Sequence, residues 1–269
     1  MDKAQPLFDH LWHNYIEQNP QVRKVYNLLS NEGEEVINDH IALRTFDDPR
    51  INVDVLAKPF LNAGYHEAGK YVFEEKKLFA KHLEHSFNPK APRIFISQLE
   101  TEKFSFKLQQ IVKQWVDLIP GQLLKSKELL YSGNSWVIPG FNVYQELKEE
   151  SEYAAWLYVY GFRANHFTVS VNALKKYNSL EKLNDFLKSN GFSMNKAGGE
   201  IKGSPKQLLE QSSIRAGKIP VLFKEGTYEI PACYYEFARR YTDKDGKLYN
   251  RFIAKSADKI FESTDNITN

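Results

Sequence analysis

Apolar and polar positions follow a helical period at the start of the chain and a strand period afterwards. Residues 4–30 carry apolar side chains at mostly helical spacing, interrupted at Asn19-Pro20, and this pattern predicts two helices. Residues 36–46, "VINDHIALRTF", predict a strand, residues 52–63 predict a helix, and three further strands follow from Gly64. The first half of the chain therefore contains a β-α-β-β-β unit over about residues 36–100.

The second half of the chain repeats this order. Linker helices are predicted within residues 102–160, after which "FRANHFTVSVN" predicts a strand and "LEKLNDFLKSN" a helix. Gly191 begins the next extended stretch, and later strands are predicted in "IRAGKIPVLFKEG" and "TYEIPACYYEFARRY", which completes a second β-α-β-β-β unit over about residues 162–242. His40 precedes Gly64 by 24 residues and His166 precedes Gly191 by 25, so the two halves indicate a weak internal duplication.

The two units predict an α+β fold in which two small sheets join into one central mixed sheet. Because the strands of each unit must bury a face, two β-α-β-β-β units can pair their sheets around a shared concave face. A concave face of this kind is a suitable place for a metal ion or a small ligand. We expect a single domain over residues 1–269, with the helical N-terminus and the linker helices packed around the sheet.

Composition and charge argue against several kinds of partner. The 269 residues include 36 Lys and Arg and 34 Asp and Glu, for a net charge of +2, and they form no basic stripe, so nucleic acid is not an expected partner. No stretch approaches the roughly 20 apolar residues of a membrane span, so no membrane partner is expected. The single Cys233 allows neither an intrachain disulfide nor a cysteine cluster for zinc, which predicts a soluble protein of the reducing cytoplasm. The sequence predicts no oligomeric state.

Three predicted strands each carry a residue of a type that binds metals. His40 lies in the first strand of the first unit, His166 lies at the matching place in the second, and Glu236 interrupts the apolar run "ACYYEFA". Two imidazoles and one carboxylate form the ligand set of non-haem Fe(II) oxygenases, and zinc hydrolases use it as well. The histidines have an alternative role as hydrogen-bonded core residues. Glu236 has an alternative partner in Arg239 or Arg240, of which Arg240 shares its strand face.

Arg44 lies on the same predicted strand face as His40. A guanidinium at this place can pair with a carboxylate of a metal-bound ligand, and a 2-oxo acid has suitable groups for both contacts. The alternative for Arg44 is a salt bridge to Asp39, Asp47 or Asp48. The sequence alone leaves both roles open.

Three separated stretches resemble the 2-oxoadipate dioxygenase/decarboxylase family, which was once catalogued only as a domain of unknown function: "NDHIALRTF", "FRANHFTVSVN" and "EIPACYYEFARRY". The resemblance implies a fold related to the vicinal oxygen chelate proteins and an Fe(II) ion held by His40, His166 and Glu236. It also implies that Arg44 binds the substrate carboxylate. The family chemistry converts 2-oxoadipate and O2 into 2-hydroxyglutarate and CO2. The same ligands also suit Zn, Mn, Ni or Co as ions bound in a purified sample.

The chain is shorter than the lysine-pathway members of this family and is expected to be a compact member with its own choice of 2-oxo acid. The stretch "SPKQLLEQSSIRA" also resembles a family element, which makes Gln211, Ser212 and Ser213 candidates to line the pocket without assigning them a role. Two other function classes stay open. One is a Zn- or Mn-dependent lyase or hydrolase with the same three ligands, and the other is a non-catalytic protein that binds a small acid through Arg44 and the histidines.

Overall fold

The computed structural model describes residues 4–253 and contains seven α-helices and ten β-strands within that range. The helices are α1 (Gln5–Gln18), α2 (Pro20–Asn31), α3 (Val53–Asn62), α4 (Phe106–Asp117), α5 (Phe141–Glu150), α6 (Glu152–Tyr160) and α7 (Leu180–Ser189). The strands are β1 (Asn38–Phe46), β2 (Tyr65–Phe73), β3 (Leu78–His85), β4 (Arg93–Leu99), β5 (Ala164–Ser170), β6 (Lys202–Ser204), β7 (Leu209–Ser213), β8 (Lys218–Phe223), β9 (Gly226–Pro231) and β10 (Glu236–Arg240). These elements confirm the predicted α+β class.

The described residues form two compact regions. Residues 4–15, 42–165 and 220–230 make up the first region, and residues 16–41, 166–219 and 231–253 make up the second. Strand β1 contributes its first residues to the second region and its later residues to the first. The expectation of a single domain over residues 1–269 stays a prediction, and its ends at residues 1–3 and 254–269 lie outside the described residues.

The first compact region contains most of the first β-α-β-β-β unit. Its strands lie in the order β2-β3-β4-β1, and β3 pairs antiparallel with both β2 and β4. Linker helices α5 and α6 are separate because Ser151 ends the first and caps the second, where its side chain accepts a hydrogen bond from the Ala154 N–H.

None of the helices within residues 4–253 is both long and apolar enough to cross a membrane.

The second compact region contains a mixed set of strands in the order β1-β5-β10-β7-β6. Strand β10 pairs parallel with β5 and antiparallel with β7. Strand β1 lies beside β5, where the Ser170 N–H donates to the Ile37 carbonyl at 2.8 Å. Elements β5, α7, β6, β7 and β10 follow one another in β-α-β-β-β order. The predicted strand in "IRAGKIPVLFKEG" is β8, which is not part of this set.

Two strands of this second unit differ from the predicted pattern. Strand β7, "LEQSS", was not predicted because it is polar, yet all five of its residues are buried. The stretch "TYEIPACYYEFARRY" was predicted as one strand but forms β9 and β10, with residues 232–235 between them. Strand β9 pairs with β8 in a separate two-stranded sheet.

Glu34, between α2 and β1, holds the chain that follows β5. Its side chain is buried and accepts hydrogen bonds from the backbone N–H groups of Lys175 at 2.7 Å, Lys176 at 2.6 Å and Tyr177 at 3.3 Å. Burial opposes ionisation, but the three backbone donors outweigh it and hold the pKa of Glu34 below its ordinary value of 4.5. Because the pKa is lower in the folded state, this stabilisation is complete above about pH 4.5 and is lost as the pH falls further.

Replacing Glu34 with Gln is expected to lower the free energy of unfolding at pH 7 by about 1–3 kcal/mol, because an amide leaves buried N–H donors without an acceptor. The difference from wild type should narrow below pH 4.5, where the wild-type carboxylate takes up a proton. Urea unfolding at pH 7 and at pH 4 measures both effects. Glu35→Gln, at the exposed neighbouring position, is the matched control and should change stability at neither pH.

Candidate metal centre

His40, His166 and Glu236 meet in the second compact region. The Nε2 atom of His40 lies 3.4 Å from Oε1 of Glu236, and the Nε2 atom of His166 lies 3.3 Å from Oε2. One ligand atom of each residue lies within 4.8 Å of the other two. All three side chains are buried, and Glu236 is only 1% exposed. Within residues 4–253 this is the one group of three or more His, Cys, Asp or Glu residues arranged closely enough to share a metal ion.

Strand register brings two of these residues to the same face. Glu236 of β10 pairs with Thr168 of β5, and residues paired across neighbouring strands project from the same side of the sheet. His166 precedes Thr168 by two residues, so it shares that side. The imidazole rings of His40 and His166 are 5.5 Å apart at 83°. The site is therefore built by strands β1, β5 and β10, far apart in sequence.

Asp39 fixes the orientation of His40. Its Oδ1 lies 2.8 Å from Nδ1 of His40, while Arg240 donates to both carboxylate oxygens, from Nε to Oδ2 at 2.7 Å and from Nη2 to Oδ1 at 2.8 Å. Burial opposes ionisation of Asp39, but the charge of Arg240 and the hydrogen bonds hold its pKa far below the usual range. The Asp39 carboxylate favours the tautomer of His40 that carries its proton on Nδ1. In that tautomer the free lone pair is on Nε2, the atom that faces Glu236.

Gln211 orients the side chain of Glu236 through a hydrogen bond. Its Nε2 donates to Oε1 of Glu236 at 2.6 Å. Burial raises the pKa of Glu236, whereas His40 and the Gln211 hydrogen bond act in the opposite direction, as does the charge of Lys202. An ionised carboxylate at this depth requires positive charge nearby.

The donor atoms of the cluster suit a divalent metal ion. In the tautomer that Asp39 favours, Nε2 of His40 and Oε1 of Glu236 are both acceptors, and a cation between them would satisfy both. Ligands held about 2.0–2.2 Å from one ion lie roughly 2.8–3.6 Å from each other at octahedral or tetrahedral angles. The separations of 3.3 and 3.4 Å agree with this range. The residues present therefore fit a metal ion with two imidazole ligands and one carboxylate ligand.

Of the three residues that the sequence named without a role, Gln211 contacts the cluster. Ser212 faces the other side of β7 and donates to Oδ1 of Asn184 in α7 at 2.8 Å. Ser213 is paired in register with Glu236, and its backbone carbonyl accepts from the Asn195 N–H at 2.8 Å.

Sequence reasoning missed the roles of four residues around the ligands. Asp39 and Arg240 were considered only as partners of Arg44 and Glu236, yet they pair with each other. Thr168, whose Oγ1 lies 3.1 Å from Nε2 of His40, could have been found from its position two residues after His166 on a strand. Gln211 was named only through the family resemblance, and its contact with Glu236 could not be predicted because its strand was not predicted.

Arg44 lies in the first compact region. It is 3% exposed, and its guanidinium carbon lies 4.8 Å from the ring centroid of Tyr153 and 5.2 Å from that of Trp156. Burial raises the pKa of Tyr153 to about 12, so its ring is a neutral phenol and attracts the cation through its π face. Its role in binding a substrate carboxylate stays a prediction.

The acidic residues offered as alternative partners of Arg44 have other contacts. Asp47 accepts from the hydroxyl of Thr101 at 2.6 Å, and Asp48 accepts from Nη2 of Arg50 at 2.7 Å. Asp39 forms its ion pair with Arg240. These contacts do not decide between the two roles of Arg44, and both stay predictions.

Comparison with known proteins agrees with this arrangement. The family model described as 2-oxoadipate dioxygenase/decarboxylase matches residues 3–125 and 132–251. A chloroplastic 2-oxoadipate dioxygenase/decarboxylase of Arabidopsis thaliana is 34% identical over 275 residues, which cover 93% of this chain and 74% of the relative. The hydroxyglutarate synthase of Oryza sativa, solved in complex with 2-oxoadipate, is 32% identical with a TM-score of 0.90 and covers 97% of this chain and 91% of that chain.

Two further crystal structures are similar. A Shewanella frigidimarina protein with the provisional description of a hydrolase is 47% identical with a TM-score of 0.89, covering 94% of this chain and 99% of that chain. A Ralstonia eutropha protein described as belonging to the glyoxalase superfamily has a TM-score of 0.76 at 20% identity, covering 93% of this chain and 85% of that chain. The latter likeness shows the fold alone.

Replacing Glu236 with Gln is expected to distinguish the destabilising effect of burying a carboxylate from the role of that carboxylate in binding a metal. The metal-free variant should unfold at the same temperature as wild type or higher, because it no longer buries an anion. A metal that binds only the folded chain raises the melting temperature of wild type, and this rise should be lost in the variant. Calorimetric melting with and without Fe(II) or Co(II) measures both effects. An equal rise in the two proteins would exclude Glu236 as a ligand.

Proposed function

The chain belongs to the 2-oxoadipate dioxygenase/decarboxylase family, and we propose that it uses Fe(II) and O2 to convert a 2-oxo dicarboxylic acid such as 2-oxoadipate into a 2-hydroxy acid and CO2. The observation that carries the proposal is the buried cluster of His40, His166 and Glu236. One molecule each of 2-oxoadipate and O2 contains the atoms of one 2-hydroxyglutarate and one CO2, so the reaction balances without a cosubstrate.

The residues of the second compact region would hold the metal and keep its ligands in place. His40 and His166 would bind through Nε2 and Glu236 through its carboxylate. When bound, Fe(II) supplies open coordination positions for a 2-oxo acid and for O2. Asp39 keeps the Nε2 lone pair of His40 available, and Gln211 fixes one oxygen of Glu236. Burial of all three ligands limits the access of bulk water, which strengthens every electrostatic contact made there.

The proposed substrate class rests on the relatives and on the chemistry of the ligand set. The rice relative was solved in complex with 2-oxoadipate, at 32% identity over 97% of this chain. A 2-oxo acid offers a carbonyl and a carboxylate oxygen, the hard oxygen donors that a 2-His-1-carboxylate metal accepts at its open positions. Arg44 is proposed as the partner of a second carboxylate, which favours a dicarboxylic acid.

A metal-dependent hydrolase is the second candidate. The Shewanella frigidimarina relative has a hydrolase description, and zinc hydrolases use two histidines and a carboxylate in the same way. Such an enzyme would need neither O2 nor a redox-active metal. A binding protein for small acids would release no product at all.

We propose the cytoplasm as the compartment. One cysteine in 269 residues suits a reducing environment, which also keeps iron in the Fe(II) state. The buried position of Cys233 agrees with a structural thiol.

Protein prepared without metal and reconstituted anaerobically with Fe(II) is expected to consume O2 and release CO2 in equal amounts when 2-oxoadipate is added. An oxygen electrode together with CO2 detection measures the ratio, and shorter and longer 2-oxo dicarboxylic acids define the preferred chain length. Zn(II)-loaded protein is the control and should be inactive. Turnover of any of these acids without O2, or by the Zn(II) form, would instead support a lyase or hydrolase.

Replacing Arg44 with Lys is expected to lower kcat/KM for the preferred acid by the equivalent of about 2–5 kcal/mol, because lysine cannot form a paired, planar contact with a carboxylate. Iron content should stay at the wild-type level. Arg50→Lys is the matched control, since Arg50 pairs with Asp48 and Asp117 at the surface and the change should leave kcat/KM unchanged. Wild-type kinetics in Arg44→Lys would exclude a substrate contact by Arg44.

A further inference from the structure

The chain beyond β10 turns back toward the metal ligands of the second compact region. Thr242 and Leu248 form an isolated antiparallel bridge, and the Tyr249 N–H donates to the Tyr241 carbonyl at 3.0 Å. This turn brings residues 249–252, which we call the return segment, alongside the end of β10. The return segment is therefore held by backbone pairing at its start.

Arg240 connects the return segment to Asp39. Its Nη1 donates to the backbone carbonyls of Tyr249 at 3.1 Å and Arg251 at 2.8 Å, while Nε and Nη2 donate to the Asp39 carboxylate at 2.7 and 2.8 Å. Arg240 is 2% exposed. All three guanidinium nitrogens are thus used at once, and only a planar fork with several fixed donors can serve both partners.

Phe252, at the end of the return segment, packs directly on the ligand His40. The two ring centroids are 4.8 Å apart at 85°, and the Arg240 guanidinium lies 5.1 Å from the Phe252 ring. Phe252 is 7% exposed. The imidazole of His40 is thereby held at Nδ1 by Asp39 and on its ring by Phe252, and both of these supports depend on Arg240.

We propose that Arg240 and Phe252 are positioning residues, which couple docking of the return segment to the orientation of His40 and so to metal affinity. This inference rests on the metal site of the proposed function. If the segment leaves its place, His40 loses the ring contact with Phe252, and Arg240 loses the two carbonyls that hold its Nη1 while it binds Asp39. Because such coupling is reciprocal, a bound metal in turn strengthens docking of the segment.

The first test is a titration of metal-free protein with Co(II), whose visible absorption reports the coordination geometry. Arg240→Lys keeps the positive charge but cannot bridge Asp39 and the two carbonyls, so its Co(II) dissociation constant should rise about 10- to 100-fold. Arg239→Lys is the matched control, because Arg239 is one residue away on β10 and packs over Tyr241 at 5.2 Å. It should bind Co(II) with wild-type affinity and the wild-type spectrum.

The second test uses Phe252→Leu, which removes the ring contact and leaves the Asp39–Arg240 pair intact. Its Co(II) affinity should also fall at least several-fold, with an unchanged circular dichroism spectrum. Hydrogen exchange should show that Co(II) slows exchange of the amides of residues 249–252 in wild type and has no effect in His166→Ala. A pure stability role for these residues predicts neither the spectral change nor the metal-dependent protection.

The outcomes separate this inference from the proposed function. If wild type binds one Co(II) and both Arg240→Lys and Phe252→Leu bind it equally well, the coupling is wrong and the metal site stands. If wild type binds neither Co(II) nor Fe(II), the metal site is wrong and the coupling falls with it. If Arg240→Lys does not fold, the Co(II) affinity of Phe252→Leu and the amide hydrogen exchange of residues 249–252 decide whether the coupling exists.

Discussion

The rest of the site depends on a carboxylate placed where water cannot solvate it. Glu236 is 1% exposed and faces the Nε2 atoms of two imidazoles, and removing an ion of this kind from water costs several kcal/mol. Gln211 and the charge of Lys202 reduce this cost in part. A cation between the three side chains would offset the rest of this cost, so the buried carboxylate favours metal binding. The polar, fully buried strand β7 follows from the same constraint, because it carries the donor for Glu236.

The general fold could be predicted because it rests on local patterns. Gly64 and Gly191 follow α3 and α7 with φ of +102° and +84°, a left-handed conformation that glycine adopts without strain, and their matched spacing revealed the second β-α-β-β-β unit. Pro20 opens α2 and marks the break from α1. By contrast, β7 has neither β-branched residues nor an alternating pattern. Its burial is set by neighbours distant in sequence, which no local window contains.

The three candidate ligands could be predicted from the sequence, while the contacts that support them could not. His40, His166 and Glu236 each stand out as polar residues in apolar strands. Asp39 does not, because neighbouring residues on a strand project to opposite faces, and alternation alone excludes its contact with His40. The structure permits this contact because the Asp39 carboxylate reaches Nδ1 of the adjacent ring while Arg240, 201 residues away, holds it from the other side.

These separations bear on how folding and metal binding are related. In small zinc domains the ligands lie close together in the chain, so the metal itself drives folding. Here His40, His166 and Glu236 come from three strands, and the Asp39–Arg240 pair joins positions 201 residues apart. Closing such loops to bind one ion is entropically unfavourable. In a packed sheet, burial of apolar side chains has already offset this loss of chain entropy. We therefore expect the strands to assemble first and a metal to bind a site whose geometry the sheet has set. On this view the surrounding residues control the orientation of the ligands.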